Sequence, residues 1–251
     1  MTEKSLRENL MKLAANSGKY AERSGRIVAT KQKVLGVRVP DLRAFAKSLA
    51  REIGEFADVK NFLQTINNKI FEEVLCAGLL IFYARNLTAD EKIWLTREYL
   101  EKVDSWAQID SFVQSLDKEK FAKDALETAE QIREKYWQFA LENLRSDQEF
   151  SVRYGVMVLF ENFLNREKIR EVFAQLREIK CDKYYVKMAI AWLYAESAIN
   201  FFDLTIGEMQ NAKIDFWTRK KALTKMLESR RFTDVQKAKI RRLRTKLQER
   251  K

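Results

Sequence analysis

Histidine is absent from the 251 residues, proline occurs once, at Pro40, glycine seven times and cysteine twice. Without an imidazole, neither a Ser–His–Asp triad nor a histidine general base can be assembled. So little turn chemistry leaves few places for hairpins and argues against an all-β fold. Cys76 and Cys181 are too few for a disulfide framework and, with no histidine beside them, offer no zinc-ligand set. Cys76 lies in an apolar run and reads as a small buried hydrophobe. No GxGxxG or GxxxxGK occurs, so dinucleotide and P-loop chemistry lack their phosphate-cradling backbone. The most apolar run, residues 75–84, is too short to span a bilayer, and the opening MTEKSLRENLMK lacks the apolar core of a signal peptide. These absences point to a reducing, cytoplasmic setting away from any membrane, and they imply no cofactor.

What the chain does have is charge and helical patterning. Its net charge is +11, and residues 213–251 hold fifteen Lys/Arg against four Asp/Glu, an excess equal to the whole of it. A basic segment so concentrated suggests a polyanionic partner, nucleic acid first, although a solvated terminal helix would carry the same residues.

Apolar residues recur at helical spacing from end to end. Leu6, Leu10 and Leu13 make one stripe, and Leu42, Phe45, Ala46 and Leu49 make another after Pro40, a residue suited to a helix's first turn. Residues 18–36 lose the periodicity and read as a basic loop or short helix. Further helices are expected at 58–66, 68–85, 89–103 and 104–115, with two between 118 and 145. The set continues at 149–164, 166–177, 182–200, 202–210, 215–229 and 234–250. Thr88 with Glu91 and Thr233 with Gln236 match the capping box. About a dozen helices joined by short polar connectors define an all-α protein. Helices joined so tightly stack as antiparallel pairs, and a series of pairs makes an α-solenoid; an irregular bundle is the alternative. No linker interrupts the chain, so residues 1–251 read as a single domain ending in the basic segment 213–251.

Carboxylates, cations and aromatics remain to carry chemistry. In DSWAQIDSF, Asp104 or Ser105 can cap a helix on which Trp106 and Asp110 share a face. Asp110 lies a full turn inside that helix, beside a large aromatic. It is either a solvated aspartate next to a core tryptophan or a carboxylate lining a cleft. In FSVRYGVMVLF, Val152, Val156, Leu159 and Phe163 form the core stripe and Arg153 sits at its edge, to snorkel, bridge helices or bind. KYYVKMAIAWLYAE is apolar nearly all round and reads as an inner helix, with Lys183 and Lys187 as its basic strip and Trp192 in its apolar run.

Four of these stretches, LGVRVPDLR (35–43), SWAQID (105–110), SVRYGVMVLF (151–160) and VKMAIAWLYAE (186–196), resemble in order and spacing the AlkD-like DNA alkylation repair family. The resemblance implies a right-handed, HEAT-like α-solenoid, monomeric, whose concave basic face holds double-stranded DNA. It also implies a monofunctional DNA glycosylase that releases N3- or N7-alkylated purines without flipping them into a pocket. Asp110 then matches the catalytic carboxylate, Trp106 and Trp192 the aromatic walls, Arg153 a DNA-backbone contact and Lys187 a further DNA-binding cation. Active members carry an arginine three residues after the second tryptophan, where this chain has Ala195. A non-catalytic solenoid that binds distorted or branched DNA, and a protein-interaction scaffold, are the other readings.

Overall fold

A computed structural model describes residues 3–15, 18–115 and 127–249. Among these the chain is all-α: fourteen helices, no strand, and one isolated parallel bridge between Lys33 and Ile70. The first of the two helices expected between 118 and 145 falls outside the described residues. No described helix is long and apolar enough to cross a membrane. The chain divides into two compact units, residues 1–139 and 140–251.

The first unit contains α1 (Glu3–Leu13), α2 (Gly18–Val28), α3 (Val39–Glu52), α4 (Phe56–Thr65), α5 (Phe71–Tyr83), α6 (Ala89–Leu100), α7 (Trp106–Val113) and most of α8 (Ala129–Leu144). α5 is the hub, packing on α1, α3, α4, α6 and α7. Its sequence explains this, because FEEVLCAGLL is buried from end to end, including both glutamates. Gly78 lets α6 approach closely, since a Cβ there would lie 2.6 Å from the Tyr99 ring. The Thr88–Glu91 capping box forms as the pattern predicts: the Glu91 amide donates to Thr88 Oγ1 at 3.2 Å and the Thr88 amide to Glu91 Oε2 at 2.8 Å.

Residues 18–36 are a helix followed by an extended segment. No residue of α2 is buried, and Leu13 is 44% exposed, so the α1 stripe that enters the core is Leu6 and Leu10 without Leu13. The extended segment turns at Gly36 with φ +92°, where a Cβ would strike Ala21 of α2 at 2.7 Å. Both conditions call for glycine.

The second unit contains α9 (Glu149–Phe163), α10 (Ile169–Arg177), α11 (Tyr184–Asn200), α12 (Phe202–Glu208), α13 (Phe216–Glu228) and α14 (Asp234–Glu249). α11 packs against α9, α12 and α13, as its apolar circumference requires. Alternate helices thus touch within each unit, α3, α5 and α7 in the first and α9, α11 and α13 in the second. α14 turns Ile240, Leu243 and Leu247 inward and leaves Arg241, Arg242 and Lys246 exposed.

Candidate functional site

α7 is short, and its position is set by bonds at both ends. Ser105, not Asp104, is its N-cap: Ser105 Oγ accepts from the Ala107 amide at 3.2 Å and donates to the Val28 carbonyl at 2.5 Å. Asp104 reaches across to residues 30 and 31 instead, accepting the Lys31 amide at 2.9 Å and the Thr30 hydroxyl. Gln108 adds a buried link, donating to Gln32 Oε1 at 2.7 Å and to the Phe71 carbonyl at 3.1 Å. At the other end, Arg43 of α3 donates to the Ser111 carbonyl at 3.0 Å and to Ser115 Oγ at 2.8 Å. A guanidinium there complements the negative end of the helix dipole.

On this helix Trp106 is half-buried and Asp110 is 7% exposed. The solvated-aspartate alternative therefore does not hold. Behind α7, Phe112 packs against Phe82 and Tyr99, each at 4.6 Å between ring centroids. The indole N–H of Trp106 donates to the Ile27 carbonyl at 3.2 Å.

Two carboxylates that sequence reasoning passed over hold the same unit together. Glu72 accepts the amides of Leu35 (2.9 Å), Gly36 (2.7 Å) and Val37 (3.3 Å). Burial pushes its carboxyl above the usual 4.5, while those amides pull the other way. Glu73, fully buried, takes a two-pronged bond from Arg7: Nε to Oε1 at 2.8 Å and Nη2 to Oε2 at 3.1 Å. The sequence shows only two successive glutamates opening an otherwise apolar helix, a pattern that a solvated first turn gives as well.

In the second unit, Arg153 is not at an edge. It is 4% exposed, because α9 is buried on nearly every side. Its Nη1 donates to the Tyr185 carbonyl at 2.5 Å, and Glu149 accepts the Tyr185 amide at 2.8 Å. α9 thus holds both backbone groups of one residue at the start of α11. Lys187, a turn inside α11, pairs with Asp182 at 2.7 Å and Asp215 at 3.5 Å and lies 5.3 Å from the Trp217 ring centre. The Asp182 bond, followed by the charge of Asp215, outweighs partial burial and raises its ammonium pKa.

Trp192 is half-buried, with Phe160 edge-on at 4.8 Å, and it walls a cavity of about 270 Å³. Ala195, Ile199 and Lys225 of α13 line the same cavity. Lys225 has its pKa lowered, first by burial and then by the charges of Lys221 and Arg153, against an opposing pull from Glu228. Nothing in the KKALTKMLE stretch singled this lysine out from its basic neighbours.

The first unit therefore brings Trp106 and Asp110 together on α7, and the second sets Arg153, Lys187 and Trp192 on α9 and α11. The chain belongs to the DNA alkylation repair enzyme family, whose model matches residues 7–226. Neither a curated protein nor a solved structure matches it.

Proposed function

We propose that this protein is a DNA glycosylase that hydrolyses the N-glycosyl bond of cationic N3- or N7-alkylpurines in duplex DNA, without flipping the base. The observation that carries the reading is Asp110, 7% exposed and one turn from half-buried Trp106 in a member of a DNA repair family. An alkylpurine of this kind is already positively charged and departs neutral, so a chain without histidine lacks nothing the departure requires. As the bond lengthens, the sugar gains oxocarbenium character, and the Asp110 carboxylate stabilises that charge or orients the attacking water. Trp106, on the same helix as Asp110, adds cation–π stabilisation of roughly 0.5–2 kcal/mol. Lys187 serves the DNA backbone, and buried Arg153 holds the Tyr185 carbonyl at the start of α11. The alternation of helices within each unit supports the HEAT-like solenoid reading; a basic face for the duplex and a monomeric protein belong to the same proposal.

A second reading, a non-catalytic protein that binds distorted or branched duplexes, also has an observation in its favour. Ala195 supplies no cation beside Trp192, and Arg153 is committed to the Tyr185 carbonyl. Incubation with N7-methylguanine-containing duplex, followed by chromatography of released bases, separates the two. Free methylated base above the spontaneous rate is expected. Duplex binding without release would replace the glycosylase with the binding protein.

A further inference from the structure

We propose that α14 is a second duplex-binding element, which seats in the major groove and reads its width rather than its sequence. The helix lies beyond residues 7–226, the span matched by the family model. It rests on the proposed function only in taking duplex DNA as the partner.

The sixteen residues of α14 hold six Lys/Arg against Asp234 and Glu249. Ile240, Leu243 and Leu247 are buried, and they fix which way the helix faces. With about 3.6 residues per turn, Lys237, Arg241 and Arg244 form a row along one flank of that buried stripe. Lys239, Arg242 and Lys246 form a second row along the other flank. The second row and Arg241 are exposed, and Lys237 and Arg244 are partly so. Between the rows, on the outward face, stand exposed Ala238 and Thr245, with Asp234 and Glu249 only at the two ends. Lys239 pairs with Asp203 at 3.5 Å and lies 5.8 Å from the Phe202 ring centre. That pair is exposed on both sides, so a phosphate can take the place of Asp203.

A small outward face between two rows of cations fits a groove bounded by two phosphate strands. The major groove is about 12 Å wide and admits an α-helix, whose diameter is about 10–12 Å. From Lys237 to Lys246 the helix rises about 14 Å, which spans roughly four phosphates on each strand. Ala238 and Thr245 are short enough to approach the base edges and carry one hydroxyl between them, too little to select a base. A lipid surface would need the apolar stripe of the helix, and that stripe is buried. An acidic protein would meet the cations without requiring a small strip between the rows.

The test titrates the full-length protein against two duplexes of one sequence. One carries plain cytosine; the other carries glucosylated 5-hydroxymethylcytosine, whose sugars fill the major groove. Wild type should bind the glucosylated duplex at least about fivefold more weakly. One variant removes the first row (Lys237→Gln, Arg241→Gln and Arg244→Gln) and another the second (Lys239→Gln, Arg242→Gln and Lys246→Gln). Each should bind plain duplex at least about tenfold more weakly, with a shallower salt dependence. Ala238→Trp, which adds bulk without charge, should weaken plain-duplex binding and abolish discrimination between the two duplexes. All three should keep helical circular dichroism and, at saturating protein, the wild-type rate of methylated-base release. Wild-type binding indifferent to glucosylation overturns the groove seating, as does discrimination that persists in Ala238→Trp. Row variants that bind plain duplex like the wild type also overturn it and leave α14 to solvent or to an acidic protein. If groove-dependent binding is found but the wild type releases no methylated base, the glycosylase reading falls and this one stands. A wild type that binds no duplex overturns both.

Discussion

The indole Nε1 of Trp106 donates to the carbonyl oxygen of Ile27 at 3.2 Å, across 79 residues of sequence. With the Ser105 bond to the Val28 carbonyl, it pins the last turn of α2, a helix that buries none of its own residues. Trp106 is thus both a proposed wall of the site and an anchor for the segment beside it. Trp106→Phe keeps an aromatic ring and removes the bond, worth about 0.5–1.5 kcal/mol. Amide exchange by mass spectrometry should show faster exchange across residues 18–28 and little change in α5. Unaltered protection of α2 would mean that the bond anchors nothing.

Asp110→Asn keeps size and shape but removes the charge that a developing oxocarbenium ion would feel. Release of methylated base should fall at least about tenfold, the equivalent of ~1.4 kcal/mol of transition-state stabilisation, while duplex affinity holds or rises. Asp104→Asn is not a neutral control, because Asp104 accepts both the Lys31 amide and the Thr30 hydroxyl rather than capping α7. It should cost about 1 kcal/mol in urea unfolding. Exposed Asp58 on α4 is the better comparison, and Asp58→Asn should leave release unchanged. Equal losses from the Asp58 and Asp110 substitutions would refute the catalytic assignment.

Glu72→Gln puts an amide where three backbone N–H groups require acceptors on both oxygens. One donor must then face another, at a cost of roughly 1–3 kcal/mol. The folded-state pKa of Glu72 is raised above 4.5, so the native chain holds this proton more readily than the unfolded one. Its contribution is fully present below 4.5 and declines as pH rises through the folded value. The stability gap between wild type and variant should therefore widen from pH 7 toward pH 5 in denaturant titrations. A gap that narrows as the medium is acidified would contradict the raised pKa.

The two thiols should behave differently. Cys76 is fully buried, and burial with the charge of Glu73 pushes its pKa up to about 12, whereas Cys181 is partly exposed. At pH 8 a thiol-disulfide reagent should label one cysteine per native chain, Cys181, and the second only after unfolding. Rapid labelling of both would place Cys76 outside the core.

Salt should govern DNA binding. Neutralised phosphates release counterions, so affinity for duplex should drop steeply between about 50 and 200 mM salt. Arg241→Gln with Arg242→Gln removes two exposed cations of α14 and should flatten that dependence. An affinity indifferent to salt would favour the protein-interaction scaffold.

The helices were legible because their signals are local. Caps such as Thr88 with Glu91, apolar stripes such as Leu42, Ala46 and Leu49, and the shortage of glycine and proline act over a few residues. The family, too, could be read from four short stretches in order. What tertiary structure decided depends on contacts between distant segments. Asp104 is as good a cap as Ser105 by residue type, and only residues 30 and 31, folded beside it, assign it another task. Arg153 reads as an edge residue from helical periodicity, yet α11 covers it and its carbonyl partner lies 32 residues away. Glu72 and Glu73 look like a solvated first turn until the 35–37 amides and Arg7 arrive to bind them. Lys225 gains its distinction from partial burial beside the cavity it shares with Trp192 and from the charges of Lys221 and, across from α9, Arg153. Periodicity reports which face of a helix is apolar, but the free energy of a buried charge is set by what stands opposite it, and in this chain those partners come from other helices.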